Sequence, residues 1–134
     1  MIRCARPDEL DVILALWSAE GVRPSATDTT AALERLMEDQ AEALLVAEVD
    51  DEIVGVLIAA WDGWRGNMYR LAVRPDQRRR GIGQALVEEG ERRLRARGAR
   101  RITALVNDDV IARASWVAYG YRNDLNVERH VKMV

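Results

Sequence analysis

A glycine-containing junction between a strand and a helix is the feature that most constrains this 134-residue chain. The segment RPDQRRRGIGQALV, residues 74–87, follows the apolar run YRLAV and leads into residues with helical spacing. Pro75 ends the strand, and Gly81 and Gly83 allow a close approach to the backbone that a Cβ would block. The free N–H groups at the start of the helix face the same region. The fold must therefore bring a strand end, a tight loop and a helix N-terminus together.

Two interpretations of this junction remain open from its residues alone. In the first, Gly81, Gly83 and the arginines at 78–80 hold a pyrophosphate, because helix N-termini and guanidinium groups both bind phosphate. In the second, they form a solvated turn that binds nothing. A nucleotide-binding P-loop is excluded, because RRRGIGQA lacks the Lys-Ser or Lys-Thr pair that such a loop requires.

Periodicity and turn residues predict one domain, residues 1–134, of mixed helices and strands. Strands are predicted at 2–6, 43–49, 53–61, 67–73, 100–106 and 127–134. Helices are predicted after Pro7, after a cap at Asp28 or Thr29, at 82–97 and at 109–119. The order β-α-α-β-β-β-α-β-α-β combines hairpins with crossovers, which predicts a mixed sheet of α/β or α+β class.

Composition restricts the partners that we expect. The net charge of −2 and the pI of about 5.5 do not favour nucleic acid. No apolar run approaches the ~20 residues that span a bilayer, so no membrane partner is expected. The start of the chain lacks a signal-peptide core, and a cytoplasmic location is expected. One cysteine, Cys4, and one histidine, His130, cannot supply a structural zinc site, and no metal is expected.

Two stretches resemble the motifs of one family. LAVRPDQRRRGIGQALV resembles motif A of the GCN5-related N-acetyltransferases (GNAT), with Arg78, Gly81 and Gly83 at the matching positions. VNDDVIARASWVAYGY resembles the family's shorter downstream signature of a strand end, a helix and an aromatic residue after glycine. The resemblance covers essentially the whole chain. Within the family, the chain is similar to the small bacterial YpeA-like branch. It implies the GNAT fold, a mixed sheet of about six strands with about four helices, splayed between strands 4 and 5.

The resemblance also implies acetyl-CoA as the cosubstrate. Backbone amides from Arg79 to Ala85 would hold its pyrophosphate, and the main chain of residues 71–73 would bind the pantetheine arm as an added half-strand. The residues assigned to this donor site are Leu71, Ala72, Val73, Arg78, Arg79, Arg80, Gly81, Ile82, Gly83, Gln84 and Ala85.

Three positions depart from the family pattern. Trp116 stands where the family commonly has a tyrosine that protonates the departing thiolate, and an indole is no proton donor at neutral pH. Asp109 stands where the pattern usually has asparagine, although Asn107 is nearby. Asn107, Asp109 and Trp116 are all assigned to the donor site. Asn67 stands where several members carry a glutamate base on the fourth strand.

Tyr69 is the remaining candidate for proton transfer, together with Asn67. Strand alternation predicts that Asn67, Tyr69, Leu71 and Val73 share one face, and position 67 faces the acceptor in relatives. The phenol of Tyr69 would orient the amine or relay a proton through water; alternatively it is only a wall of the pocket. Tyr119 is interpreted as a core aromatic residue.

Two arginines are candidates for binding the acceptor. By the resemblance, Arg23 in the loop RPSATD and Arg65 in the turn DGWRG flank the amine entrance. Glu20 and Asp28 lie near Arg23, but no larger acidic cluster is present. Because a guanidinium binds a carboxylate through two parallel hydrogen bonds, we expect an amine that also carries a carboxylate. Alternatively, Arg23 is a solvated loop residue and Arg65 lies at a contact between copies.

The sequence thus favours an N-acetyltransferase. It would move the acetyl group of acetyl-CoA to a primary amine of a small metabolite, amino acid or peptide end, by direct attack of the neutral amine. The alternative is an acetyl-CoA-binding sensor or interaction protein with little turnover, which the departures at Asn67, Asp109 and Trp116 favour. A monomer or a homodimer is expected.

Overall fold

One mixed sheet runs through the computed structural model, which describes residues 1–134. Its five strands are β1 (Ile2–Cys4), β2 (Leu44–Val49), β3 (Glu52–Trp61), β4 (Gly66–Val73) and β5 (Ile102–Ala104). Each strand lies beside the next in sequence. The first four are antiparallel, and β5 is parallel to β4. This arrangement confirms the predicted mixed sheet.

Four helices cover the two faces of the sheet. They are α1 (Leu10–Ala19), α2 (Thr30–Asp39), α3 (Ile82–Arg97) and α4 (Val110–Ala118). Short 3₁₀ turns at Pro7–Glu9 and Pro75–Gln77 precede α1 and the α3 loop. The Thr29 hydroxyl accepts the Ala32 N–H at 3.1 Å and so caps α2. None of these helices combines the length and the hydropathy needed to cross a bilayer.

Alternating residues of β3 divide the core into two halves. Val56 and Ile58 pack with Trp17 on the side of α1 and α2. Leu57 packs with Leu86 on the side of α3 and α4. Burying such a side chain contributes roughly 1.5–3 kcal/mol each, so both halves stabilise the sheet from which the site projects.

The sixth strand, predicted at 127–134, is not formed. Its apolar residues alternate, but Val127 and Val131 are 67% and 63% exposed. No backbone hydrogen bond joins residues 128–134 to another residue, and β5 has only three residues. A segment with alternating apolar residues forms a strand only where a neighbouring strand is available for backbone hydrogen bonds. The sheet therefore has five strands instead of about six, and the strands predicted at 2–6 and 100–106 shorten to β1 and β5.

The pairing of β4 with β5 covers only the first part of β4. Gly66 to Met68 pair with Ile102 to Ala104, and the Leu105 N–H donates to the Met68 carbonyl at 3.0 Å. From Tyr69 onwards β4 has no neighbour on this side. The predicted splay between the fourth and fifth strands is confirmed.

A bulge in β4 corrects the predicted facing of its residues. Val56 pairs with Ala72 but Ile58 pairs with Tyr69, so one extra residue of β4 lies between these pairs. Arg70 takes a left-handed conformation there, with φ of +59°. Because a bulge inserts one residue, it reverses the faces beyond it. Tyr69 therefore faces α1 and α2, whereas Leu71 and Val73 face α3, and the prediction that these residues share one face is wrong.

Candidate active site

The loop before α3 presents a row of unused backbone donors. Arg79 and Gly81 are left-handed, with φ of +63° and +76°. No N–H from Arg79 to Gln84 donates to a backbone acceptor, and the first bond of the helix is from the Ala85 N–H to the Gly81 carbonyl at 2.9 Å. A Cβ at Gly81 would have no atom within 4 Å. Left-handed residues turn successive N–H groups towards one concavity, where the helix dipole adds positive potential. This concavity fits a phosphate group.

The three arginines of this loop have different environments. Arg78 forms an ion pair with Glu20, at 2.5 Å, just beyond the end of α1. Arg79 has no carboxylate partner, and Arg80 bonds only to the Gln77 side-chain oxygen at 3.3 Å. Two guanidinium groups are therefore free of carboxylates beside the N–H row, while Arg78 joins the loop to α1.

The opening between β4 and β5 has partly apolar walls. Its borders are partly buried residues that pack against the α3 side of the core: Leu71, Val73, Ile82, Ala104 and Tyr119. The main chain of β4 from residue 69 lies free along one side of the opening. An unpaired strand edge is suited to an extended chain with amide groups. The residues assigned to the pantetheine arm thus lie beside those assigned to the pyrophosphate.

Trp116 and Tyr119 pack together on the α3 side of the sheet. Trp116 is 5% exposed and packs edge-on against Tyr119 and Tyr121, at centroid distances of 5.6 and 4.9 Å. Tyr119 packs against the core as interpreted, and its phenol oxygen also reaches the first turn of α3 beside Gly83. The indole is therefore a packing element, and the hydroxyl near the helix N-terminus comes from Tyr119.

Asp109 caps α4. Its carboxylate accepts the Ile111 N–H at 3.2 Å, and its own N–H donates to the Asn107 carbonyl at 2.8 Å. Capping of a helix is a sufficient structural reason for aspartate at this position. Neither side chain forms a hydrogen bond to β4 or to the loop before α3, so the structure does not join them to the other donor-site residues.

The opposite face of β4 carries the proton-transfer candidates. The Asn67 amide donates to the Asp62 carboxylate at 3.2 Å, and Asp62 also accepts the N–H groups of Arg65 and Trp64 at 2.6 and 2.8 Å. These bonds lower the pKa of Asp62. Burial raises the pKa of Tyr69, and the charge of Asp62 adds to this effect. The phenol therefore keeps its proton at neutral pH and can donate or orient, but it is not a base.

The acceptor candidates have no carboxylate partner. Arg23 is exposed, and the Arg65 guanidinium stacks on the Trp64 ring at 3.8 Å. Glu20 is paired with Arg78, and Asp28 with Arg70 at 2.7 Å. The carboxylates near Arg23 in sequence are therefore already neutralised.

Two contacts of this face were missed from the sequence. The Trp17 indole N–H donates to the Arg70 carbonyl at 3.0 Å, but helical spacing marks Trp17 only as a core residue. Asp62 begins the turn DGWRG, and an aspartate that accepts N–H groups two and three residues later is a recognisable turn signal. No sequence pattern indicates the bulge at Arg70.

Comparison with known proteins identifies the family. The model of the acetyltransferase (GNAT) family matches residues 10–121. This chain belongs to the GNAT family. An acetyltransferase of Pectobacterium atrosepticum is 38% identical over 108 residues, which cover 81% of this chain and 77% of the relative. The predicted family and the acyltransferase class are confirmed.

Solved structures support the GNAT fold. A predicted acetyltransferase from Clostridium acetobutylicum, solved with acetyl-CoA, has a TM-score of 0.80 at 15% identity and covers 98% of this chain and 95% of its own. Ard1 from Thermoplasma volcanium has a TM-score of 0.78 at 20% identity, and the match covers 90% of this chain and 80% of Ard1. This GNAT domain therefore shares its architecture with proteins of very different sequence.

Proposed function

We propose that this GNAT domain transfers the acetyl group of acetyl-CoA to the primary amine of an acceptor that also carries a carboxylate. The observation that carries the proposal is the row of unused N–H groups from Arg79 to Gln84 beside the unpaired edge of β4. The row suits a pyrophosphate and the edge suits an amide-bearing arm. Acetyl-CoA contains both, and the C. acetobutylicum structure contains acetyl-CoA.

In the proposed reaction the neutral amine attacks the thioester carbonyl carbon. The new C–N bond forms as the C–S bond breaks, the amine loses one proton, and the thiolate gains one. Tyr69 stays protonated, so it orients the amine or relays the proton through water instead of removing it directly. Trp116 is buried and supplies no proton to the thiolate.

The proposed acceptor class rests on the charges beside the loop 23–28. Arg23 has no carboxylate partner, while Glu20 and Asp28 already have arginine partners. A site with an unpaired guanidinium favours an amine with a carboxylate, such as an amino acid or a peptide end, over a polycation. Asp62, held by three hydrogen bonds and close enough to Tyr69 for its charge to raise the pKa of the phenol, is the carboxylate that would face an ammonium group.

A panel of amines tests the proposal. Purified protein is incubated with acetyl-CoA and amino acids, dipeptides, spermine or an aminoglycoside, and released thiol is measured. We expect thiol release to be fastest with an amine that carries a carboxylate. Preference for spermine or the aminoglycoside over every amino acid and dipeptide would contradict the acceptor class.

A second function is favoured by one observation, the buried indole at the position where the family commonly has an acid. A sensor that binds acetyl-CoA would release no thiol with any amine. Calorimetry with acetyl-CoA separates this outcome from a failure to bind.

A further inference from the structure

Arg70 has an unusual position in the sheet. It is the left-handed residue of the β4 bulge, and its carbonyl accepts the Trp17 indole N–H at 3.0 Å. A left-handed conformation is unfavourable for a residue with a Cβ, so surrounding contacts must hold it. The bulge directs the Arg70 side chain away from β5 and towards the loop between α1 and α2.

The guanidinium of Arg70 organises that loop. One terminal nitrogen donates to the Arg23 carbonyl at 3.1 Å, and the other donates to the Asp28 carboxylate at 2.7 Å. The same carboxylate oxygen accepts the Ser25 N–H at 2.7 Å. The Arg70 and Asp28 side chains are only 22% and 17% exposed. Residues 23–28 are thus folded around one partly buried cation.

The backbone of Arg23 is fixed on both sides. Val22 is buried, and its N–H donates to the Trp17 carbonyl at 3.0 Å. Pro24 follows and restricts the backbone further. The Arg23 carbonyl is held by Arg70, whereas its own guanidinium is exposed and has no carboxylate. A flexible cation therefore projects from a rigid backbone.

We propose that Arg70 and Asp28 are positioning residues that aim Arg23 at the acceptor, and so determine the preference for a carboxylate. This inference rests on the proposed function. The bulge places Arg70 within the strand that borders the donor opening, so the donor strand itself holds the acceptor loop. The position of Arg23 relative to the thioester then follows from the geometry of β4.

Two variants remove the positioning contact in different ways. Arg70→Gly removes the guanidinium but suits the left-handed backbone, and Arg70→Lys keeps the charge but loses the two-pronged contact. The matched control is Arg3→Lys, because Arg3 also bridges two carboxylates, Glu9 and Glu48, from the partly buried face of β1 at the far edge of the sheet. We expect the control to retain activity.

The acceptor preference is the decisive measurement. The most active amino acid or dipeptide of the panel is compared with its carboxamide, which keeps the amine but lacks the carboxylate. In both Arg70 variants we expect kcat/KM to fall at least about ten-fold for the carboxylate form and less than about two-fold for the carboxamide. The Kd of acetyl-CoA by calorimetry should stay within about two-fold of wild type.

A double variant tests whether Arg70 acts through Arg23. If it does, the double variant Arg23→Ala/Arg70→Gly should show the same preference for the carboxylate over the carboxamide as Arg23→Ala alone, because the two changes remove one interaction. Equal losses for the carboxylate and the carboxamide, or additive losses in the double variant, would overturn the inference.

A separate readout distinguishes this inference from the proposed function. Hydrogen exchange at residues 22–28 should become faster in Arg70→Gly and unchanged in Arg3→Lys. A wild-type protein that binds acetyl-CoA but acetylates no amine would overturn the proposed function and, with it, the acceptor role of Arg23. Unchanged exchange at 22–28 would overturn the positioning contact alone.

Discussion

The phenol oxygen of Tyr119 lies in the space that a side chain at position 83 would need. A Cβ on Gly83 would be 2.6 Å from this oxygen but 3.6 Å from the ring carbon that bears it. Gly83 thus has a packing reason as well as the expected one of allowing a ligand to approach. The phenol thus places the residue that follows α4 against the first turn of α3.

Gly83→Ala should destabilise the protein by about 1–2 kcal/mol, because the added methyl group overlaps the Tyr119 hydroxyl. Within a helix alanine is otherwise better than glycine by roughly 0.5–1 kcal/mol. Adding Tyr119→Phe should therefore restore most of the loss, since only the oxygen is in conflict. Urea denaturation of the two single variants and the double variant measures this coupling. Additive changes in the free energy of unfolding would exclude a coupling between Gly83 and Tyr119.

Gly81→Glu should weaken acetyl-CoA binding at least about ten-fold, because a carboxylate would enter the concavity and repel phosphate. No protein atom opposes a side chain at this position, so the left-handed backbone strain is the only structural cost and a folded variant is expected. Gly81→Asn is the control, since asparagine tolerates the left-handed backbone and adds no charge. Calorimetry measures both affinities, and equal values for the glutamate variant and wild type would exclude phosphate binding at Gly81.

Arg78→Ala should affect acetyl-CoA binding much less than Gly81→Glu. The Arg78 guanidinium is already paired with Glu20, and its side chain is 49% exposed. A half-exposed guanidinium that already has a carboxylate partner adds little to phosphate binding, about 0–1 kcal/mol, and salt screens that contribution. Titration calorimetry at low and high salt checks this. A loss as large as that of Gly81→Glu would mean that Arg78 leaves Glu20 for the ligand.

Tyr69→Phe should lower kcat about ten-fold or more and leave the Kd of acetyl-CoA nearly unchanged, if the phenol orients the amine or relays a proton. Its pKa is raised, so the protonated form is present throughout the neutral range. Titration of this phenol should therefore cause no loss of wild-type activity until the pH exceeds the ordinary value of about 10. An unchanged kcat in Tyr69→Phe would show that Tyr69 only lines the pocket.

Acid should destabilise the fold partly through Glu89. Hydrogen bonds from Arg92 and Arg93 lower its pKa from 4.5 to about 2. A carboxyl group with a lowered folded-state pKa stabilises the fold above its unfolded value, and this contribution is lost as the pH falls from about 4.5 towards 2. Glu89→Gln should flatten the dependence of the urea midpoint on pH in this window. Glu88→Gln, on the same helix without an arginine partner, should keep the wild-type slope.

Local signals were sufficient for most of the fold. The residues that end helices are explicit in the sequence, and α3 begins at Ile82 and ends at Arg97 as predicted. The prediction of a strand at 127–134 was wrong, because alternation indicates the two faces of a strand but not whether a partner strand is available. The facing of β4 failed for a related reason. A bulge is decided by the register of two strands, which neither strand encodes alone.

The two sides of the proposed site differ in how they are encoded in the sequence. The proposed donor side is built from consecutive residues, so one stretch of sequence contains it. The proposed acceptor side depends on pairs distant in sequence, Glu20 with Arg78 and Asp28 with Arg70. Each member of such a pair resembles an ordinary surface charge until the fold brings the partners together.

The short ladder between β4 and β5 has a consequence for handling the protein. From Tyr69 to Val73 one side of β4 has no neighbouring strand, although the Arg70 carbonyl is already bonded to Trp17. An unpaired strand edge is a template for pairing with another extended chain. The charge and the bulge at Arg70 interrupt this edge, as edge strands in soluble proteins commonly require. The remaining stretch, Leu71 to Val73, is apolar. Concentrated protein without the proposed donor should therefore aggregate through this strand on heating. Coenzyme A added during purification should protect the protein if it binds along this edge as proposed, even where no acetyl group is transferred.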